Sequence, residues 1–381
     1  MTWRIVCVVG ARPNFMKIAP ILRAFAGDAR FDARLVHTGQ HYDDRLSRVF
    51  FEELRIPRPD IELEVGSGSH ARQTAEIMTR FEPVLAQLQP HVVLVVGDVN
   101  STAACAIVAA KFFRAEAFVT RSGTRQRPLI VHVEAGLRSR DRDMPEEINR
   151  ILTDAISDLL FVSDPEGMTN LAAEGAPAER VHYVGNVMID TLLATRERAN
   201  DSTILTSLGL EVGTYAVVTL HRPTNVDDVE ALRTLLHDIE SIATEPTLVF
   251  PVHPRTRQRM TSAGIELGPR WKLIEPLGYL DFIKLVASAR VAFTDSGGLQ
   301  EEATVLGVPC ITLREHTERP VTISHGTNQL VGTSPAAIAR AYARIDEVRA
   351  AARIPEGWDG NSAARIVAAL GDELSAPPNH S

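Results

Sequence analysis

The chain has 381 residues, 45% hydrophobic and 23% charged, with a formal net charge of −8. That length suggests two domains of ordinary size, each able to bury its own core. The acidic balance argues against broad contact with nucleic acid or an anionic membrane surface. No stretch reaches the roughly 18 consecutive apolar residues of a membrane span, and the N-terminus runs straight into a strand pattern rather than a signal peptide. Cys7, Cys105 and Cys310 lie in apolar contexts without CxxC spacing, which reads as buried reduced thiols of a cytoplasmic protein.

Short apolar runs recur with helical stretches between them: Arg4–Val9, Arg34–Thr38, Val92–Val96, Leu129–Val133, Leu159–Val162 and Val181–Val184. The series restarts with Tyr215–Leu220, Leu248–Val252, Trp271–Ile274, Val291–Thr294, Cys310–Leu313 and Gln329–Val331. Continuous Val/Ile/Leu runs alternating with helices predict parallel sheets covered on both faces, so the chain reads as two Rossmann-like α/β halves joined near Gly185-Asn186. Gly66-Ser-Gly-Ser69 reads as a flexible loop, and Glu116 to Pro128 as an exposed polar, basic excursion before the next strand. The tail Ser375–Ser381 is expected to be disordered.

Ligands of open parallel sheets bind beyond the carboxyl ends of the strands, so the residues there are informative. They are Gly10-Ala-Arg12-Pro13 with Lys17, Gly39-Gln40-His41, Gly97-Asp98-Val99-Asn100 and Glu134-Ala-Gly136-Leu-Arg138 in the first half. In the second half they are His221-Arg222, His253-Pro254-Arg255 and Asp295-Ser296-Gly297-Gly298. Glycines at the last turn, followed by a new helix from Leu299 to Leu306, predict an anion seat, with Glu301 and Glu302 one turn in to hold a sugar hydroxyl. Arg12, Lys17, His221 and the Ser296–Gly298 turn supply enough positive charge for a diphosphate. No GxGxxG or GxxxxGK[ST] follows any strand, so no dinucleotide cofactor is indicated.

Asp98, Glu134 and Glu146 are the candidates for proton transfer. Asp98 and Glu134 end adjacent strands, and Pro145 occupies a natural first helical position before Glu146 and Glu147. Burial beside a second carboxylate raises the pKa of one member and leaves the other ionised, giving an acid and a base on opposite faces of a carbon. His37 and His41 straddle a strand end and do not share a helical face, so no metal site is predicted.

These segments resemble one family in order and spacing, the non-hydrolysing UDP-N-acetylglucosamine 2-epimerases of the GT-B fold. The match takes in Gly10-Ala-Arg-Pro13 with Lys17, Gly39-Gln-His41, Gly97-Asp98, His132-Val-Glu-Ala-Gly-Leu-Arg138 and Pro145-Glu-Glu-Ile-Asn-Arg150. It continues through Gly185-Asn186, His221-Arg222, Pro251-Val-His253, Thr294 to Glu302, Thr317-Glu-Arg-Pro320, Gly326-Thr327 and Gly360-Asn-Ser-Ala363. The resemblance implies a domain over 1–186, a UDP-binding domain over 187–360 facing it across a cleft, and a helix over 361–374 that packs back on the first. It implies reversible C2 epimerisation of UDP-GlcNAc to UDP-ManNAc through an enzyme-held 2-acetamidoglucal, without a cofactor, in a homodimer. Asp98, Glu134 and Glu146 would be the acid/base groups and His221 would act at the diphosphate.

For substrate contacts the resemblance implies Arg12, Lys17, Gln40, His41, Arg138, Arg150, Arg222, His253, Tyr279, Ser296, Gly297, Gly298, Glu302 and Arg319. Glu302 would hold the ribose hydroxyls, and backbone near Pro276–Tyr279 would meet the uracil. Gln40, Arg72, Arg222 and His253 lie in stretches related to an activating second substrate site of bacterial members. The chain departs from the family at Asn14, where Glu is usual, at Pro223-Thr224, which replace a charged pair, and at Val99-Asn100. Those departures leave open a related UDP-2-acetamido sugar such as a 2,3-diacetamido one. A hydrolysing 2-epimerase, a GT-B glycosyltransferase and a non-catalytic sugar-nucleotide sensor are the competing readings.

Overall fold

The structure, a computed structural model, describes residues 2–39 and 44–375, without the side chains of 44–48 and Pro223. The expectations for Gln40, His41 and the tail beyond residue 375 lie outside the described residues. The chain forms two compact units, one of Met1–Thr191 with Glu356–Ser381 and one of Leu192–Pro355. The divisions thus fall within helix Val187–Asn200 and just before the C-terminal helix, rather than at 186 and 360.

Unit 1 carries strands β1 (Trp3–Val9), β2 (Phe31–His37), β3 (Ile61–Glu62), β4 (Val92–Val96), β5 (Phe118–Thr120), β6 (Gly123–Arg125), β7 (Leu129–Ala135), β8 (Leu159–Val162) and β9 (Val181–Tyr183). Seven of them form one parallel sheet in the order β3-β2-β1-β4-β7-β8-β9. Every residue of β4 and β7 is buried, which is why these strands read as unbroken apolar runs. Val6, Val8, Val93 and Val95 share one face with Ile77, Phe81 and Leu85 of helix His70–Leu88 and with Ala104 to Ala106 of helix Asn100–Lys111. Strand order reverses beside β1, so the crevice of this sheet opens after β1 and β4.

Unit 2 carries β10 (Tyr215–Thr219), β11 (Thr247–Pro251), β12 (Trp271–Ile274), β13 (Val291–Thr294), β14 (Cys310–Thr312) and β15 (Asn328–Leu330), a parallel sheet in the order β12-β11-β10-β13-β14-β15. Alternate residues of β10 enter different cores: Ala216 and Val218 pack with Leu232, Leu236 and Phe250, and Tyr215 and Val217 with Leu285, Val286 and Leu299. The reversal lies at β10 and β13, paired through Val218 with Phe293 and Thr219 with Thr294, so the loops carrying His221 and Asp295 leave the sheet side by side. Both sheets agree with two doubly wound parallel α/β halves.

Three local features differ from the expectations. The edge strand β3 is two residues long, too short to show as an apolar run. The 116–128 excursion contains the antiparallel hairpin β5–β6, whose turn is pinned to the C-terminal helix Ser362–Ser375 by the Arg121 N–H donating to the Glu373 carbonyl at 2.7 Å and by Ser122 Oγ donating to Glu373 Oε1 at 2.6 Å. Ser69, in the stretch read as a flexible loop, caps helix His70–Leu88 by accepting the Arg72 N–H at 3.3 Å. The C-terminal helix buries Ile366, Val367, Leu370 and Leu374, and Asp190 caps it by accepting the N–H groups of Ser362 and Ala363 at 3.1 and 2.7 Å.

Candidate active site

In unit 1 the loop after β1 turns directly into helix Arg12–Ala26. Asn14 Oδ1 accepts the N–H groups of Gly10 and Ala11 at 3.0 and 3.1 Å, while its Nδ2 donates to the Val96 carbonyl at 3.0 Å. The amide thereby ties the ends of β1 and β4 together, and a carboxylate could not supply the donating half of that contact. One turn on, the buried Lys17 ammonium pairs with the Glu134 carboxylate. Glu134 has φ of 72°, a left-handed conformation unusual for a side chain, where the β7–β8 register shifts. A Cβ on Gly97 would stand 2.8 Å from Lys17 Nζ and 3.3 Å from Glu134 Oε2, so only glycine lets the β4 turn approach this pair.

Asp98 follows at once and accepts from Arg150 Nη1 at 2.5 Å. Buried Arg150 also pairs with buried Glu147 at 2.7 Å. Burial works against the Glu147 charge, but the Ser139 N–H, Arg150 and the Arg140 N–H hold its carboxyl below the usual range. Asp98 and Glu134 are therefore brought to one sheet edge, each on its own cation. Beneath them the fully buried His132 links Asp154, at 2.6 Å from Nδ1, to the Gly97 carbonyl, at 2.8 Å from Nε2. Asp154 also accepts the Gly136 N–H at 3.0 Å, so one bracket holds the turns after β4 and β7.

Glu146 is partly exposed in the first turn of helix Pro145–Ile156, beside Glu147, with no hydrogen-bond partner among the described residues. Arg12 opens its helix with its guanidinium 5.7 Å from the centroid of the Phe50 ring. Arg138 departs from the substrate-contact reading. Its donors go to Glu174 at 2.8 and 2.6 Å, to Asp154 at 2.8 Å and to the Leu137 carbonyl at 2.7 Å, so it faces the interior of unit 1.

In unit 2 the organising group is Asp295, which the sequence reading did not select although it stands in the turn motif. Fully buried, it lies 2.8 Å from His221 Nδ1 and accepts the N–H groups of His221 and Arg222 and the Asn225 amide at 3.0 to 3.1 Å. Burial raises its pKa, but the bonds and charge of His221, the Arg222 N–H and Asn225 bring it below the usual value. The His221 side chain is 60% exposed, so this anchoring leaves the ring at the surface. Helix Gly297–Leu306 begins at Ser296, whose Oγ accepts the Leu299 N–H at 3.5 Å, so Gly297 and Gly298 are its first turn. A Cβ on Gly297 would lie 2.6 Å from Arg319 Nη1. Arg319 in turn pairs with Glu301 at 2.9 Å and Glu318 at 3.4 Å, and Glu318 also meets Arg314 at 2.9 Å and Arg222 at 3.4 Å.

Glu302 is buried and accepts the Tyr279 hydroxyl at 3.0 Å. Burial, with Glu301 beside it, pushes its carboxyl up to about 8 despite the opposing Tyr279 bond. His221, Arg222, Ser296, Gly297, Gly298, Glu302, Tyr279 and Arg319 thus form one connected setting. His253 stands outside it as the exposed cap of helix Pro254–Ser262, its Nδ1 accepting the Arg255 N–H at 3.3 Å.

A family model described as UDP-N-acetylglucosamine 2-epimerase matches residues 23–371. The chain belongs to the UDP-N-acetylglucosamine 2-epimerase family. The UDP-N-acetylglucosamine 2-epimerase of Methanococcus maripaludis is 38% identical over 374 residues, which is 96% of this chain and 97% of that protein. The UDP-2,3-diacetamido-2,3-dideoxy-D-glucuronate 2-epimerase of Pseudomonas aeruginosa is 38% identical over 334 residues, 87% of this chain and 89% of that one. The crystal structure of Methanocaldococcus jannaschii UDP-GlcNAc 2-epimerase in complex with UDP-GlcNAc and UDP has a TM-score of 0.86 and 38% identity, covering 96% of this chain and 99% of that chain. The two parallel-sheet α/β units are those of the GT-B epimerases. In this epimerase-family member unit 1 carries two strand-end carboxylates, each held by a cation, and unit 2 a helix start with an anchored imidazole. No described helix is long and apolar enough to cross a membrane.

Proposed function

We propose that the protein interconverts UDP-GlcNAc and UDP-ManNAc by inversion at C2, without releasing free sugar. The observation that carries this reading is the placement of Asp98 and Glu134 at the ends of adjacent strands, each held by a cation, in a chain 38% identical to an enzyme crystallised with UDP-GlcNAc and UDP. A C2–H that is not beside a carbonyl is a poor acid, so its removal must accompany departure of a stabilised leaving group. The C1–O bond breaks and its electron pair leaves with UDP. The C2–H pair becomes the C1=C2 bond of 2-acetamidoglucal as a carboxylate takes the proton. Re-addition of the UDP oxygen at C1, with protonation of C2 from the opposite face, completes the inversion.

In this reading Asp98, Glu134 and Glu146 move the protons and unit 2 binds UDP. The Ser296–Gly298 helix start and His221 take the charge developing on the β-phosphate, and removing one such donor costs about 100-fold in rate or more. Glu302 holds the ribose hydroxyls. The experiment is proton NMR of UDP-GlcNAc with the protein in D2O. Deuterium at C2 of both nucleotide sugars is the expected result; accumulation of free ManNAc would identify a hydrolysing enzyme instead. A second reading, a UDP-2,3-diacetamido sugar as substrate, is favoured by the 38% identity to the Pseudomonas aeruginosa protein. Running both sugars side by side ranks them by exchange rate.

A further inference from the structure

Helix Tyr279–Ala287 follows β12 after a four-residue connection with Gly278 as its cap, and its first side chain points into the protein. Tyr279 is 2% exposed and its hydroxyl reaches Glu302 on the helix that starts at the anion seat. Glu302 is four residues along from Gly298, a rise of about 6 Å at 1.5 Å per residue. That rise suits the step from the phosphates of a nucleoside diphosphate to its ribose hydroxyls. A carboxyl held only by its own side chain would lose rotamer freedom when it engaged a hydroxyl, whereas one already fixed at Oε1 meets the ligand with that entropy spent. The phenol keeps its side of this arrangement over a wide pH range. Burial raises the Tyr279 phenol well above its ordinary value, so it stays a proton donor.

We propose that Tyr279 is a positioning residue for nucleotide recognition: its buried hydroxyl fixes the Glu302 carboxyl so that it reads the ribose 2′-hydroxyl and separates a ribonucleotide from its 2′-deoxy form. The inference rests on the reading of Glu302 as the ribose contact. It gives Tyr279 a side-chain role, distinct from any backbone contact with the base.

The test is calorimetric binding of UDP, 2′-deoxy-UDP and inorganic pyrophosphate to the full chain and to Tyr279→Phe and Glu302→Met. Hydrogen bonds of this kind lead us to expect a wild-type preference for UDP over 2′-deoxy-UDP of about 30-fold. Tyr279→Phe should reduce that ratio to about 3-fold or less by weakening UDP, with pyrophosphate affinity unchanged, because pyrophosphate occupies the helix start and carries no ribose. Glu302→Met should abolish the ratio. If Glu302→Met keeps the wild-type ratio, the ribose role of Glu302 fails and the inference with it. If Glu302→Met loses the ratio while Tyr279→Phe keeps it, the role of Tyr279 alone is overturned. A parallel fall in pyrophosphate affinity in Tyr279→Phe would mean that the phenol supports the fold rather than the ribose contact, and would also overturn it.

Discussion

Asp98 is the more accessible of the two strand-end carboxylates, 28% exposed against 7% for Glu134, while its Arg150 partner is buried. Replacing Asp98 with Asn keeps its shape but removes the charge that Arg150 holds. Exchange at C2 should fall by about 100-fold or more while UDP affinity stays near wild type, as NMR and calorimetry would record. Glu302 provides a prediction of opposite electrical character. Its carboxyl titrates near 8 in the folded unit, against about 4.3 in an unfolded chain. Folding therefore favours the protonated form. That stabilisation is complete below about pH 4 and is lost as pH rises to about 8, with a slope of up to about 1.4 kcal/mol per unit. Urea midpoints measured across this range should fall with pH in the unliganded protein, and Glu302→Gln should flatten the trend. Asp98 and Glu134 were legible because each ends an apolar run. The partnership of Tyr279 with Glu302, 23 residues apart on different helices, has no sequence spacing that announces it. Asp154 sits in the last turn of its helix among unrelated neighbours and was equally silent.

Among the elements, the strand-to-helix turn at Thr294–Gly298 carries the most consequence. Gly297→Ala replaces the poorer helix former by the better one, which alone favours the helix by about 1 kcal/mol. The new methyl would nevertheless stand 2.6 Å from Arg319 Nη1 and must push the guanidinium aside. UDP affinity should therefore drop by about tenfold, a change calorimetry resolves, without any gain in thermal stability. Both main sheets were legible for a plain reason: strands covered on two faces must be apolar throughout, and β4 and β7 are. The hairpin β5–β6 follows another rule. Three-residue strands containing Thr and Arg are stabilised through Glu373, some 250 positions away, so local pattern could not reveal them. The left-handed Glu134 is similarly a product of the β7–β8 register shift.

For the whole molecule, the decisive arrangement is that unit 1 is assembled from two separated stretches of chain. Helix Ser362–Ser375 contributes Ile366, Val367, Leu370 and Leu374 to its interior, each worth about 1.5–3 kcal/mol of burial, and takes its cap from Asp190. Ending the chain after Pro355 should unfold unit 1 and leave the transition of unit 2 in place. On the proposed assignment of UDP to unit 2, calorimetry with and without UDP separates the two, since a ligand at about 100 times its dissociation constant raises only the transition of the unit it binds, by about 2.7 kcal/mol. Discontinuity also sets an order of events during synthesis. The stretch that builds unit 2 is translated whole before residue 362, whereas the sheet that carries Asp98 and Glu134, made first, waits for helix Ser362–Ser375 to close it.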